Sequence, residues 1–117
     1  MDMAEDTIFS KIVRGEIPAD IVYRDDLVTA FRDINPAAPT HIVLIPRGEP
    51  PAGPGGLQDG DAGWAGRMLV AASRIAAQEG LAEGGYRLVL NNGRDAGQEV
   101  PHIHMHILGG GPLGPIA

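Results

Sequence analysis

Six residues of this chain, from His102 to Ile107, alternate histidine with an apolar side chain. Successive side chains of a β-strand point to opposite faces of the sheet, so the three histidines must project from one face. Ile103, Met105 and Ile107 take the other face, where they can anchor the strand in a hydrophobic core. We therefore predict a final strand over His102–Leu108 that carries a polar site on one side and core residues on the other.

Zinc chelation is the main alternative for these histidines, because histidines on a strand are common zinc ligands. Alternate residues lie roughly 6.6 Å apart along a strand, so His102 and His106 are separated by about 13 Å. Zinc binds imidazole nitrogen at about 2.0–2.1 Å, and one ion could not readily bind both rings. A neighbouring pair would leave the third histidine unexplained, and the chain has no cysteine to complete a site. We predict no metal and no other cofactor, and we keep zinc binding as the second interpretation.

An activated imidazole nucleophile accounts for more of the pattern. A neutral histidine can attack phosphorus through one ring nitrogen while a carbonyl or a neighbouring histidine holds the proton on the other. Histidine suits this chemistry because its ordinary pKa of about 6.5 lies near working pH. The flanking imidazoles can then bind the phosphate and move protons, so the cluster favours phosphoryl chemistry.

Three other features add polar groups to this site. The segment Asn91–Glu99 leads directly into the histidines, and its glycines let backbone N–H groups approach a phosphate. Gln98 could donate to the same phosphate from its side chain. His41 begins a predicted central strand and is either a structural or a catalytic residue. Asp33 is either a turn residue or an acceptor for the vicinal hydroxyls of a ribose.

The first half of the chain predicts a short helix, a hairpin and a central strand. Asp6 or Thr7 can cap the helix, and Gly15 and Pro18 end it. Its apolar face consists of Ile8, Phe9, Ile12 and Val13. The hairpin strands are Ile21–Tyr23 and Leu27–Ile34, and the central strand is His41–Ile45, ended by Pro46.

The second half predicts a surface loop, the main helix and two strands. Proline and glycine crowd the loop Arg47–Gly60, and Asp59 or Asp61 opens the helix. A strand follows at Tyr86–Leu90, before the histidine strand, and the tail Gly109–Ala117 is predicted to be irregular. The helix stripe consists of Trp64, Met68, Leu69, Ala72, Ile75 and Ala76. This order of elements predicts an α+β fold with a mainly antiparallel sheet.

Composition limits the partners. The formal net charge is -6 and the chain has no Lys/Arg run, which argues against a nucleic acid polymer as partner. A single phosphate is different, because a few donors can bind it whatever the overall charge. The start of the chain lacks a signal-peptide pattern, and no apolar run is long enough for a bilayer, so we expect no membrane partner and a cytoplasmic location. The 117 residues predict one domain over 1–117, with its core at about 6–110.

The histidine segment resembles the signature of the histidine-triad (HIT) family, in which three histidines alternate with apolar residues and two apolar residues follow the third. His102 to Leu108 matches this signature at each position. The likeness runs from about Asp6 to Gly110 and is strongest to bacterial members of the nucleotide-binding branch. It is carried by the segments Thr7–Ile12, Phe31–Ile34, Ala38–His41, Tyr86–Val89 and Gly97–Val100. Three features depart from the family: Pro101 stands where relatives usually carry an aromatic residue, the loop Arg47–Gly60 is unusually rich in proline and glycine, and the C-terminal tail is short.

The resemblance implies a fold and a reaction. The HIT-like fold has a five-stranded, mainly antiparallel sheet with two helices, and it dimerises into a continuous ten-stranded sheet. The implied reaction is hydrolysis of purine nucleoside phosphoramidates and of related nucleoside monophosphate conjugates, such as aminoacyl-adenylates. A nucleotidyl transferase using the same intermediate, or a nucleotide- or zinc-binding regulatory module, is the alternative.

The resemblance also implies residue roles. His104 would be the nucleophile, His106 would contact the phosphate, and His102 and His41 would hold the ring and proton of His104. Asp33 would bind the ribose. The residues implied for the phosphate are Asn91, Gly97, Gln98 and Val100, and those implied for the base are Ile8, Phe9, Ile12, Ile34 and Val43.

Overall fold

Five strands form a single sheet in which every neighbouring pair is antiparallel. The fold is described from a computed structural model, which describes residues 7–116. The strands are β1 (Ile21–Arg24), β2 (Val28–Arg32), β3 (Thr40–Pro46), β4 (Tyr86–Val89) and β5 (Met105–Gly109). Their order across the sheet is β1-β2-β3-β5-β4, and two helices, α1 (Ile8–Val13) and α2 (Ala62–Gln78), accompany them. The predicted α+β fold with a five-stranded antiparallel sheet and two helices is confirmed.

The strand β3 is central and is covered on both faces, as its continuous apolar pattern predicts. Ile42 and Leu44 belong to a core cluster with α2. Val43 and Ile45 belong to a second cluster on the opposite face, with α1. This second face is the one that carries the site described below.

The first helix is capped as predicted, and the hairpin is slightly shorter than predicted. Thr7 is the cap, because its side-chain oxygen accepts a hydrogen bond from the N–H of Ser10. The alternative cap, Asp6, lies outside the described residues. The second hairpin strand ends at Arg32 rather than Ile34, since the Asp33 side chain accepts from the N–H of Asn35 at 2.8 Å and starts a turn.

The buried stripe of α2 differs from the prediction at two positions. Leu69 is 53% exposed, and Ala71 is buried in its place beside Met68 and Ala72. Leu69 lies about 100° around the helix from Met68, at the edge of the buried face. No helix in the part of the chain that the structure describes is long and apolar enough to cross a membrane.

The final strand begins at Met105, three residues later than predicted. Its pairing with β3 starts at Leu44 opposite Met105, whereas the N–H of Ile103 donates to the Pro51 carbonyl at 3.0 Å. The residues 102–104 therefore bond to a loop instead of a strand. Alternation persists nevertheless, because Ile103, Met105 and Ile107 are all buried. The strand also extends through Gly109, which was predicted to belong to the irregular tail.

Candidate active site

A cavity of about 490 Å³ lies between α1, one face of the sheet and the loop of residues 91–100. It brings together every residue predicted to bind the nucleotide. These are Ile8, Phe9, Ile12, Asp33, Ile34, Val43, Asn91, Gly97, Gln98, Val100, His104 and His106. Of the four predicted catalytic histidines, His104 and His106 line the cavity, whereas the contacts of His102 and His41 place those rings behind them.

The ring of His104 is held with one nitrogen available for attack. Its Nδ1 lies 2.7 Å from the carbonyl oxygen of His102. A carbonyl can only accept, so Nδ1 carries the proton and Nε2 keeps its lone pair. Phe9 meets the ring edge-on at a centroid distance of 4.9 Å and restrains it from the α1 side. This is the arrangement that an imidazole nucleophile requires.

His102 is buried, and its hydrogen bonds fix its tautomer. Its Nε2 lies 3.3 Å from the Pro46 carbonyl oxygen and must donate to it. Its Nδ1 then accepts from the hydroxyl of Thr7, at 3.2 Å. Burial lowers the pKa of His102 and keeps the ring neutral. This histidine therefore supports His104 through its backbone carbonyl while its own side chain ties the site to the cap of α1.

His106 is oriented by a chain of hydrogen bonds through His41. The N–H of Ala37 donates to His41 Nδ1 at 3.0 Å, which leaves the His41 proton on Nε2. That Nε2 donates to His106 Nδ1 at 2.9 Å. The remaining proton of His106 is therefore on its own Nε2, the nitrogen left to donate to a ligand in the cavity. The expected contact of His41 is thus made with His106 and not with His104.

The pKa values of both rings favour the neutral form. Burial, assisted by the neighbouring His104 and His41, lowers the pKa of His106 to about 4. Burial also lowers the pKa of His41, although the Asp33 carboxylate opposes the change. The nearer carboxylate oxygen of Asp33 lies 3.4 Å from His41 Nε2. At neutral pH the relay therefore consists of neutral imidazoles, each with a defined tautomer.

These same groups are the residues that could hold a metal ion. One ligand atom from each of Asp33, His41 and His106 lies within 4.8 Å of the others. The zinc site considered from the sequence did not include Asp33 and His41, because both are distant from His106 along the chain and only the fold brings them close to it. A metal here would have to displace the proton that His41 shares with His106.

Several donors of the 91–100 loop are already bonded to carbonyl groups of the protein. The backbone N–H groups of Gly97 and Gln98 donate to the carbonyls of Arg94 and Gly93. The side-chain amide of Gln98 donates to the carbonyls of Ala52 and Val100, at 2.6 and 2.9 Å. Both amide hydrogens are occupied, so the predicted donation from Gln98 to a phosphate is not available in this conformation. Gln98 instead shapes the loop.

Several residues that line the cavity were not predicted from the sequence. Ile17, Pro18 and Ala19 follow α1 without a periodic pattern, and Asn35 lies in a turn. Phe31 carried a usable signal, since strand alternation places it on the same face as Thr29 and opposite Val43. The wall residues not predicted are Ile17, Pro18, Ala19, Phe31, Arg32, Asn35 and Glu99.

A family model for the HIT domain matches residues 14–113. The chain belongs to the HIT family. It is 61% identical to the purine nucleoside phosphoramidase of Escherichia coli K12, over 97% of this chain and 95% of that protein. It is 47% identical to a 14 kDa zinc-binding protein of Zea mays, over 89% of this chain and 81% of that protein. The resemblance stated from the sequence is confirmed.

Solved structures of HIT proteins have the same fold as this chain. A HIT family hydrolase from Clostridium thermocellum superposes with a TM-score of 0.90 at 43% identity, covering 96% of each chain. A histidine triad protein from Clostridium difficile superposes with a TM-score of 0.87 at 40% identity, covering 94% of this chain and 95% of that chain. These values extend the likeness from the signature to the whole HIT fold.

Proposed function

We propose that this chain hydrolyses purine nucleoside phosphoramidates and related conjugates, such as aminoacyl-adenylates, through a nucleotidyl intermediate on His104. The observation that carries the proposal is the His104 ring, whose Nδ1 proton is held by a carbonyl while Nε2 is left for attack beside a nucleotide-sized cavity. The 61% identity to a purine nucleoside phosphoramidase supports the same reaction.

The first step forms a P–N bond to the protein and breaks the P–N bond of the substrate. The lone pair on His104 Nε2 attacks the α-phosphorus, and the amine departs with a proton from a nearby acid. His106 donates its Nε2 proton to a phosphate oxygen and stabilises the charge that develops there. The His102 carbonyl stays bonded to the Nδ1 proton of His104, where it stabilises the positive ring of the intermediate.

The second step restores the enzyme. Water attacks the phosphorus and gives a proton back to the group that protonated the amine, the bond between phosphorus and His104 Nε2 breaks with its electron pair returning to the ring, and the nucleoside monophosphate leaves. The capture of the same intermediate by a phosphorylated acceptor would be nucleotidyl transfer, and product analysis with and without an acceptor separates the two reactions.

The apolar wall of the cavity suits a purine. Ile34 is 91% exposed and Ile8 is 49% exposed, although both are large apolar residues at the cavity. Exposed apolar side chains at a cavity are typical of ligand-binding walls. Phe9 and Val43 continue this wall inward, and the Asp33 carboxylate is available for the ribose hydroxyls.

Replacement of His104 tests the proposal. We expect His104→Ala to lower turnover of adenosine 5'-phosphoramidate by at least roughly a thousandfold, the scale on which loss of a covalent nucleophile is felt. The control is Arg24→Ala, an exposed residue of β1 at the edge of the sheet, which does not line the cavity. Quenching the wild type with a labelled substrate should leave the label on His104. Near-normal turnover by His104→Ala, or a label on another residue, would contradict the proposal.

We also propose a homodimer joined through the edge strand β4. This strand has one neighbour in the sheet, so its outer edge is open to pairing with a second copy. Large apolar residues are exposed on β4 and on α2, namely Tyr86, Leu69 and Val70. Pairing of two β4 strands would give the ten-stranded sheet and would cover these residues.

The mass in solution tests the dimer. We expect the wild type to sediment at twice the chain mass and Val70→Asp to shift toward the monomer. The control is Arg24→Glu, a charge change on β1 at the opposite edge of the sheet. A wild type that sediments as a monomer at assay and at tenfold higher concentration would refute the proposed interface.

A further inference from the structure

The proline- and glycine-rich segment of residues 50–56 lies against the 91–100 loop, outside the walls of the main cavity. The N–H of Gly55 donates to the side-chain oxygen of Asn92 at 2.7 Å. The Ala52 carbonyl accepts from the Gln98 side chain at 2.6 Å. The 50–56 segment therefore donates one hydrogen bond to the 91–100 loop and accepts another from it.

Gly53 lies between the two residues that make these bonds and leaves little space for a side chain. It is buried, and a Cβ atom added to it would lie 2.6 Å from the Asn92 side-chain oxygen and 3.2 Å from that of Gln98. Its φ of -164° is extended and open to any residue, so a side chain here would act through the space it takes from the Asn92 and Gln98 side chains and not through backbone conformation. A side chain at this position would push against the two amides that join the loops.

The contacts lead from the 50–56 segment to the cavity wall. Gln98 also accepts from the N–H of Gly93 at 2.7 Å and stands between Gly97 and Glu99, which line the cavity. A displaced Gln98 would carry this part of the wall with it. In addition, the Pro51 carbonyl accepts from the N–H of Ile103, the residue between His102 and His104. The 50–56 segment thus supports both the loop and residues 102–104, which include the proposed nucleophile His104.

We propose that Gly53 and Asn92 are positioning residues, through which the 50–56 segment holds the 91–100 loop in place as a wall of the substrate cavity. The inference rests on the proposed function for what the cavity binds, and on the contacts above for how the loop is held. It gives a role to a loop in which this chain departs from its family. Neither residue lines the cavity, so both act through Gln98 and its neighbours.

A double-mutant cycle between these residues tests the proposal. We expect Gly53→Ala and Asn92→Ala each to lower kcat/KM on adenosine 5'-phosphoramidate by about ten- to a hundredfold, the scale of a misplacement of about 1 Å. The Kd of AMP should weaken in the same variants. The double variant should be little worse than Asn92→Ala alone, because the nearest atom that the new Cβ would meet, at 2.6 Å, is gone and only the Gln98 oxygen at 3.2 Å remains. The control is Gly60→Ala, whose added Cβ has no atom within 4 Å and should leave both constants unchanged.

Two outcomes would overturn the proposal. One is a Gly53→Ala enzyme indistinguishable from Gly60→Ala, and the other is strictly additive effects in the double variant. If Gly53→Ala folds poorly, Asn92→Ala, which changes an exposed side chain, still tests the same link.

Hydrogen exchange separates this inference from the proposed function. In Gly53→Ala we expect faster exchange of the amides of Gly93 and Ile103, which are bonded to Gln98 and Pro51, whatever the substrate is. A wild type that neither hydrolyses the phosphoramidate nor binds AMP would refute the proposed function, and the exchange result would still decide whether the 50–56 segment holds the loop. Unchanged exchange at both amides would overturn the inference.

Discussion

The hydroxyl of Thr7 joins the cap of α1 to the histidine cluster, and its removal should weaken both. This hydroxyl accepts from the N–H of Ser10 at 3.2 Å and donates to His102 Nδ1 at 3.2 Å. Thr7→Val keeps the shape of the side chain and deletes both bonds. Thr7→Ser keeps the hydroxyl and is the matched control.

The magnitude follows from the two bonds. Loss of a helix N-cap costs about 1 kcal/mol. Leaving the Nδ1 of His102 unpaired, in a residue that is 3% exposed, costs about 1–3 kcal/mol more. The hydroxyl of Ser10, 3.5 Å from the same nitrogen, can replace part of the lost bond. We therefore expect Thr7→Val to lower the free energy of unfolding by about 2 kcal/mol, near the lower end of the sum. For a domain of this size this corresponds to a fall in Tm of about 8 °C.

Activity should fall as well, because the His102 carbonyl holds the ring of the proposed nucleophile, His104. A His102 ring that has lost one anchor allows its backbone, and with it the His104 ring, to move. We expect kcat of Thr7→Val to fall about tenfold. Urea unfolding followed by the fluorescence of Trp64, the single tryptophan, measures the stability, and phosphoramidate turnover measures the activity. If Thr7→Val stays within about 0.5 kcal/mol and twofold of Thr7→Ser, then the link between the cap and the triad is not energetically significant.

Two further predictions concern buried polar groups. Thr29 is buried and its hydroxyl has no hydrogen-bond partner among residues 7–116. Thr29→Val should therefore stabilise the protein by about 1 kcal/mol and raise the Tm by about 4 °C. A lower Tm of the variant in calorimetry would show that the hydroxyl has a hydrogen-bond partner. The pKa of His106 is lowered to about 4 in the folded protein, so the unfolded chain binds more protons between pH 6.5 and 4. The free energy of unfolding should therefore be highest above pH 6.5 and decline as the pH falls through this window. Because the His106 ring faces the open cavity, its contribution to this decline in the free energy of unfolding should be about 1–2 kcal/mol. Urea unfolding at pH 7.5 and pH 5 should show a smaller decline for His106→Asn than for the wild type. Equal declines would exclude His106 as the cause.

The final strand and its cluster of histidines could be predicted from local sequence, because both follow from residue type and from the alternation of side chains along a strand. Alternation around His104 separated core from site without knowledge of any neighbour. The continuous apolar run of β3 likewise indicated a strand covered on both faces. The resemblance to the HIT family then completed the set of residues predicted to bind the nucleotide, and the structure brings all of this set to the walls of the cavity.

The contacts that give each histidine its role depended on tertiary structure, because they join residues far apart along the chain. The Pro46 carbonyl and the Thr7 hydroxyl decide the tautomer of His102, and a pairing between β3 and β5 brings His41 to His106. No local pattern encodes such partners, since hydrogen bonds between distant segments are set by how the elements pack. For the same reason the alternation at His102–His104 was visible in the sequence, whereas the departure of these residues from the sheet toward Pro51 was decided by the fold.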